Sequence, residues 1–396
     1  MKIMISAGEA SGDIHAASLV DALKARIARA PKESGPLSNS LELFGMGGTH
    51  MAASGVEILV DVEKNAVMGL LEVLHKYPSL RANLTTLRKT ITDRKPDILV
   101  LVDYPHFNMK LATTAKEHGI PVLFFIAPKV WASRAGRVAE LSKQVDHLAL
   151  ILPFEKKIFD DAEIPNTYVG NPLLDNKALV DTASRTVRTA ATKRIALLPG
   201  SRKSEISMLL PPMLATCKKL LESQPDVEFA LPVADTIDKS EIESAIEESS
   251  ATIKLIEPTD YEAIASCDAA LVASGTATLE LAILGVPMVV IYKLKPLSYK
   301  VLKRWLTIEH ISLVNIIADK KVVPELLQDE VTAENLTNEL VALLTDPETK
   351  RLQLTELAAV YRQLGTRGAS TRTADLIIKL VQKHEADAEV RDIAAS

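Results

Sequence analysis

Between Asp268 and Lys293 the chain reads DAALVASGTATLELAILGVPMVVIYK, a small polar turn at the mouth of a helix between two apolar runs. Ala269 to Val272 and Met288 to Ile291 have the composition of buried parallel strands, Ser274-Gly275-Thr276 opens the helix between them, and Gly285 and Pro287 close it. Unsatisfied backbone N–H groups at a helix start, two hydroxyls and a glycine that admits a close approach suit a diphosphate. Glu280 lies about one helical turn beyond Thr276, where an acceptor-only carboxylate can reach two adjacent ribose hydroxyls. The set reads as a socket for a nucleotide sugar. An ordinary serine N-cap followed by a solvated glutamate is the alternative.

Other segments carry compatible chemistry. Gly200, Ser201 and Arg202 follow an apolar strand that starts at Arg194, and the planar, permanently charged fork of Arg202 suits phosphate oxygens. A surface pairing of Arg202 with Glu205 competes with that role. In DILVLVDYPHFN, Asp103 ends an apolar run where a carboxylate is presented to a cleft. It is either a general base for an attacking hydroxyl or the N-cap of the helix that Pro105 opens. Glu9 and Asp13 in GEASGD are rival acids, and both also fit helix capping. The eight histidines are scattered, and no H-E-x-x-H, Cys/His cluster or D-x-D pair occurs. A leaving diphosphate would then be neutralised by Arg202 and helix N-termini instead of a metal. There is no Walker loop, and GMGGTH at Gly45 to His50 fails the dinucleotide fingerprint at its last position. Neither a metal nor an organic cofactor is expected.

The elements that must position these residues alternate between short apolar runs and amphipathic helix-length segments, the pattern of parallel sheets with crossover helices. Strands are expected at Lys2–Ser6, Leu41–Phe44, Val56–Val60, Asp97–Val102, Val122–Ile126, Val145–Leu150 and Thr167–Val169 in the first half. In the second they are expected from Arg194 and at Val227–Pro232, Ile253–Ile256, Ala269–Val272 and Met288–Ile291. Each half opens with a strand running into a polar turn, SAGEASGD and LPGSRKSE. The fold class is therefore α/β, two Rossmann-like lobes facing a central cleft fed by loops at the carboxyl ends of their strands. The expected division is a first Rossmann-like lobe over residues 1–172, a nucleotide-sugar lobe over 173–366, and a C-terminal helix over 367–396 that crosses back onto the first lobe.

At 396 residues, 47% hydrophobic and 24% charged, the chain has the composition of a two-domain globular protein. A net charge of -5 argues against nucleic acid as a partner. Cys217 and Cys267 read as small buried thiols of a reducing compartment. No apolar run approaches the ~18 residues of a membrane span, and the N-terminus meets Glu9 and Asp13 before an export signal could form. The expected location is cytoplasmic. Two stretches nevertheless suggest lipid. NAVMGLLEVLHKY clusters Val67, Met68, Leu70 and Leu71, and KLKPLSYKVLKRWL mixes five cations with Trp305, as interfacial segments do. Core packing and a solvated basic helix are their plainer readings. Beside a nucleotide-sugar socket they point to an acylated substrate.

Taken in order, GEASGD, GMGG, VMGLLEVL, DYPHFN, PKVWASR, LPFE, LLPGSRKSE, ASGTATLE and SLVNII resemble the lipid-A-disaccharide synthase family along nearly the whole chain. The resemblance implies a glycosyltransferase fold of the GT-B type with UDP in the carboxy-terminal lobe and the acceptor in the amino-terminal lobe. It implies an inverting reaction: UDP-2,3-diacylglucosamine plus 2,3-diacylglucosamine 1-phosphate gives the β-1,6-linked disaccharide 1-phosphate and UDP. Asp103 matches the family's proposed base, and Arg202, Ser274, Gly275, Thr276, Glu280 and Asn315 match its nucleotide pocket, beside Gly200 and Ser201. Gly8, Glu9, Ser11, Gly12, Asp13 and Asn108 are the acceptor-side candidates. Val67, Met68, Leu70, Leu71 and Trp305 become candidates for acyl-chain or membrane contact, on a peripheral protein at the cytoplasmic face of the inner membrane. A homodimer is compatible with the resemblance. The chain departs from the family pattern at Ala127 and Ser133, and it has Gly170-Asn171-Pro172 where Gly-His-Pro is frequent. Asn171 cannot titrate near neutrality, so no proton-transfer role falls there.

Overall fold

The computed structural model describes residues 1–29, 41–62, 70–130, 136–185, 192–234, 237–249, 252–295, 299 and 309–395; side chains at 70–77, 136–137 and 391–395 lie outside that description. It divides into two compact units, Met1–Asp175 with Thr366–Ser396, and Asn176–Gly365.

The first unit is built on β1 (Lys2–Ala7), β2 (Glu42–Gly47), β3 (Glu57–Asp61), β4 (Ile98–Val102), β5 (Val122–Phe125), β6 (His147–Leu150) and β7 (Asn166–Tyr168). All pair in parallel, in the order β3-β2-β1-β4-β5-β6-β7. Strands covered by helices on both faces need apolar side chains at successive positions, and ILVLV of β4 is buried throughout. Its residues alternate between two cores. Leu99 and Leu101 join Met4, Phe44 and Phe124 on one face, whereas Ile98, Val100 and Val102 join Ile3, Ile5 and Leu123 on the other.

The second core is completed by Ala374, Ile377 and Val381 from the C-terminal helix Ala369–Ala395. That helix is anchored at its start, where Asp175 accepts hydrogen bonds from Gly368 N (2.5 Å) and Ser370 N (3.0 Å) and Arg372 donates to Val169 O (2.8 Å). Arg26 pairs with Asp375 at 2.6 Å further along.

His15, on the helix Ala10–Ala28, is held neutral: burial pushes its pKa down to about 4 from 6.5, partly offset by the charge of Asp175. Between those two values the unfolded chain binds the proton and the folded unit does not, so stability falls as pH drops through the window and is full above it. The loss from about pH 7 to about pH 5 should be about 2 kcal/mol. Urea unfolding of the wild type and of His15→Gln at both pH values checks this; a wild-type loss no greater than that of His15→Gln would assign the acid sensitivity elsewhere.

The second unit repeats the plan with β8 (Arg194–Leu198), β9 (Glu228–Pro232), β10 (Ile253–Ile256), β11 (Ala269–Ala273), β12 (Met288–Tyr292) and β13 (Glu325–Leu327), again all parallel, in the order β10-β9-β8-β11-β12-β13. In both sheets the strand order reverses between the first and the fourth strand, which is where open α/β sheets bind ligands, just beyond the carboxyl ends. In the first unit those ends lead into Gly8-Glu9 and Asp103-Tyr104. In the second they lead into Pro199–Arg202 and Ser274–Thr276.

Candidate active site

At the switch point of the first unit the chain leaves β4 through two successive left-handed non-glycine residues, Asp103 (φ 47°) and Tyr104 (φ 51°). Such conformations cost about 1–3 kcal/mol each and persist only where surrounding bonds over-determine them. Here Asp103 N donates to Phe125 O (3.1 Å) and Tyr104 N donates to Asp103 Oδ1 (2.8 Å). The buried Asn108 clamps the loop from below. Its Nδ2 donates to Asp103 O (2.7 Å) and to Ser6 O (3.2 Å), and its Oδ1 accepts from Ser6 Oγ (2.7 Å). Asn108 thus ties the ends of β1 and β4 together, with its amide committed within the protein. The N-cap of the following helix, Pro105–Glu117, is Tyr104 and not Asp103. The turn leaves Asp103 half-buried at the carboxyl edge of the sheet.

Gly8 is required by its neighbour, because a Cβ there would lie 2.0 Å from the ring of Tyr104. Burial, and then the charge of Glu9, raise the pKa of Tyr104. Glu9 and Ser11 are exposed at the amino end of the helix Ala10–Ala28. Gly12 is buried where a Cβ would sit 3.5 Å from Ala7 Cβ. Asp13 is turned inward: it accepts from Gly48 N (2.6 Å), His50 N (2.9 Å) and Met51 N (3.2 Å), capping the short helix Thr49–Ala53 and fixing the GMGG loop. Asn171 accepts from Leu173 N (3.0 Å) and opens the turn Pro172–Asp175.

In the second unit Gly200 has φ 107°, and a Cβ on it would meet Glu205 Oε2 at 2.3 Å. Glu205 folds back over the loop, accepting from Ser201 N (3.2 Å) and Arg202 N (3.4 Å) and pairing with the exposed Arg202 guanidinium at 3.3 Å. Across the switch point, Ser274 Oγ donates to Ile311 O (2.9 Å), and Thr276 is the N-cap of the helix Ala277–Leu284. Among the described residues, its chain neighbours aside, nothing lies within 4 Å of where a Gly275 Cβ would be.

One turn on, burial raises the pKa of Glu280 while a hydrogen bond with Tyr261 opposes that shift. Asn176 Nδ2 donates to Tyr261 Oη (3.0 Å), so an amide, a phenol and a carboxylate run in series. Burial and the facing Glu280 push the Tyr261 pKa up to about 12. Asn315 is buried and fully committed, its Oδ1 accepting from Val322 N and Val323 N and its Nδ2 donating to Val323 O and Glu325. Glu325 also accepts from Ile311 N (3.0 Å) and Ser312 Oγ (2.6 Å), which holds the segment that Ser274 touches.

Tyr104, Asn176, Tyr261 and Glu325 escape a reading based on motifs, whereas the pairing of Glu205 with Arg202 is one the sequence offers. Tyr104 is visible only as the neighbour of Asp103. Tyr261 follows a plain helix-start signal, Pro258-Thr259-Asp260, and gives no sign of its carboxylate partner.

Residues 3–378 match the model of the lipid-A-disaccharide synthetase family. The chain belongs to that family. It is 40% identical over 388 residues to the lipid-A-disaccharide synthase of Geobacter metallireducens, covering 96% of this chain and 98% of the relative. It is also 40% identical over 384 residues to that of Myxococcus xanthus, covering 96% and 97%. Its activity is accordingly lipid-A-disaccharide synthesis, a glycosyl transfer in lipid A biosynthesis. Solved structures share the fold at low identity. The Neisseria meningitidis UDP-GlcNAc 2-epimerase bound to UDP-GlcNAc aligns with TM-score 0.63 at 15% identity over 96% of this chain and 100% of that one. The calicheamicin glycosyltransferase aligns with TM-score 0.60 at 12% identity over 96% and 98%. The synthase fold is therefore GT-B-like.

Of the lipid-facing candidates of this synthase, Val67, Met68 and Trp305 lie outside the described residues, and Leu70 and Leu71 open the helix Leu70–Arg94 with their side chains outside the description. Among the described residues no helix is long and apolar enough to cross a membrane, and no three His, Cys, Asp or Glu side chains converge as a metal site. Cys217 and Cys267 are buried, and burial pushes the Cys217 thiol well up.

Proposed function

We propose that this synthase joins UDP-2,3-diacylglucosamine to 2,3-diacylglucosamine 1-phosphate with inversion, as a peripheral protein on the cytoplasmic face of the inner membrane. Asp103 takes the proton of the acceptor's 6-hydroxyl, its oxygen bonds to the anomeric carbon, and the bond to UDP breaks with the electron pair leaving on the diphosphate. The helix start at Ser274–Thr276 and the guanidinium of Arg202 bear that negative charge. Glu280, oriented by Tyr261, accepts from the ribose hydroxyls. Arg202 is available because its pairing with Glu205 is exposed, and exposed pairs are worth only about 0–1 kcal/mol, so a diphosphate can displace the carboxylate.

The observation that carries the reading is a coincidence of topology and chemistry. The turns with a carboxylate in one unit, and with hydroxyls, glycines and an arginine in the other, all leave strands at the two points where strand order reverses.

The test is UDP release from UDP-diacylglucosamine, with and without diacylglucosamine 1-phosphate, against unacylated UDP-N-acetylglucosamine. Release is expected only with the acylated pair. Turnover of the unacylated sugar without an acceptor would instead make the site that of an epimerase or a hydrolase.

A further inference from the structure

In the first unit an open pocket of about 190 Å³, lined in part by Pro105 and His106 shortly after Asp103 in the chain, has been used by no step of the proposed chemistry. Its floor is apolar, formed by the buried Met109, Pro128 and Leu141 with Pro105, and its rim carries the exposed His106, Lys110 and Glu140. The two loops that bound it are strained. Asp103 and Tyr104 lead into Pro105, and Ile126 (φ 63°) leads into Pro128. Among the seven described non-glycine residues with positive φ, Ile126 alone is β-branched, the type for which that conformation is a genuine outlier. Main-chain bonds from Asp103 N to Phe125 O and from Ile126 N to Ala149 O hold the loops on adjacent strand ends. Strain of this kind gathers at ligand clamps.

We infer that this pocket is the acceptor's binding site: an acyl chain of the amphiphile lies over Met109, Pro128 and Leu141 while Lys110 meets its phosphate. The inference rests on the acceptor proposed above. The occupant follows from the lining, because an apolar floor beside the Lys110 ammonium complements a ligand with both an acyl chain and a phosphate, and the lining residues Pro105 and His106 closely follow in sequence the carboxylate assigned to deprotonate that ligand. Glu140, acceptor-only, suits a sugar hydroxyl and not the phosphate.

The experiment compares steady-state kinetics of the full-length protein on diacylglucosamine 1-phosphate and on the same acceptor lacking its phosphate, in detergent micelles. Lys110→Gln should raise KM for the phosphorylated acceptor by about 10-fold, leave KM for the dephosphorylated one unchanged, and leave donor KM unchanged. Met109→Phe, which fills the floor, should raise KM for both acceptors alike. An unaltered acceptor KM in Lys110→Gln, or equal changes for the two acceptors, overturns the assignment. Wild-type protein that fails to use the acylated pair sinks the parent reading with it, whereas a normal wild type with indifferent variants sinks the pocket alone.

Discussion

Asp103→Asn should lower kcat by about 10²–10⁴ while leaving the affinity for UDP and for the donor within about twofold. The amide keeps the shape of the carboxylate, and its oxygen can still accept from Tyr104 N as Asp103 Oδ1 does at 2.8 Å. It cannot accept the acceptor's proton. Asparagine is also among the few residues that tolerate the left-handed region, so the turn at φ 47° is not further strained and the thermal midpoint should hold. The donor-binding candidates belong to the other unit. Single-turnover kinetics with calorimetry of UDP binding separate the outcomes. Wild-type kcat in Asp103→Asn would remove the residue from the base role, and an equal loss of donor affinity would recast it as a binding group. Asp103→Ala is less informative, because it also deletes the acceptor of Tyr104 N and loosens the helix start that the pocket uses.

Much of the scaffold was legible because parallel strands buried on both faces must be apolar at successive positions, and helix ends carry their own punctuation. Runs such as ILVLV and AALVA declare themselves, and twelve of the thirteen strands among the described residues lie where the sequence predicts them. The exception, β13 (Glu325–Leu327), has three residues and opens on a charge, too short for any period to register. That charge matters, since Glu325 receives Ile311, Ser312 and Asn315 from residues 10 to 14 positions earlier. Nothing in the local pattern announces an acceptor whose donors arrive through a crossover.

The same limit governs the polar residues of the candidate site. Motifs bring Asp13, Asn108 and Asn315 forward as ligand contacts. Which carbonyls and amides converge on each depends on strand neighbours far away in the chain, and the structure shows all three committed to internal bonds. Gly275 and Asp103 differ from them for the same kind of reason. Among the described residues no neighbour accounts for the missing side chain of Gly275, and the bonds that hold the strained backbone of Asp103 come from Phe125 and Asn108 and leave its carboxylate half-buried at the sheet edge.

Gly275→Val should raise the Kd for UDP and the donor KM by about 100-fold, with the fold intact. Glycine is usually kept for one of two structural reasons, a backbone that side-chain-bearing residues avoid or a neighbour in the way, and neither holds here. Gly275 is absent from the glycines with positive φ, and among the described residues, its chain neighbours aside, no atom lies within 4 Å of a Cβ built on it. Its substitution should therefore change stability by no more than about 0.5 kcal/mol. What a valine does occupy is the space in front of the helix start Ser274–Thr276, where an anion would meet the positive end of the helix Ala277–Leu284. Losing one to two charge-assisted bonds at about 1.5–3 kcal/mol each corresponds to the stated factor. Gly200→Val provides the contrast. With φ 107° and Glu205 Oε2 2.3 Å from its Cβ, it should damage the loop and lower the thermal midpoint, so lost binding there would be ambiguous. UDP calorimetry and thermal unfolding on both variants decide the matter. Undiminished UDP affinity in Gly275→Val would mean that the diphosphate does not approach this helix, and the donor site would have to be sought elsewhere in the second unit.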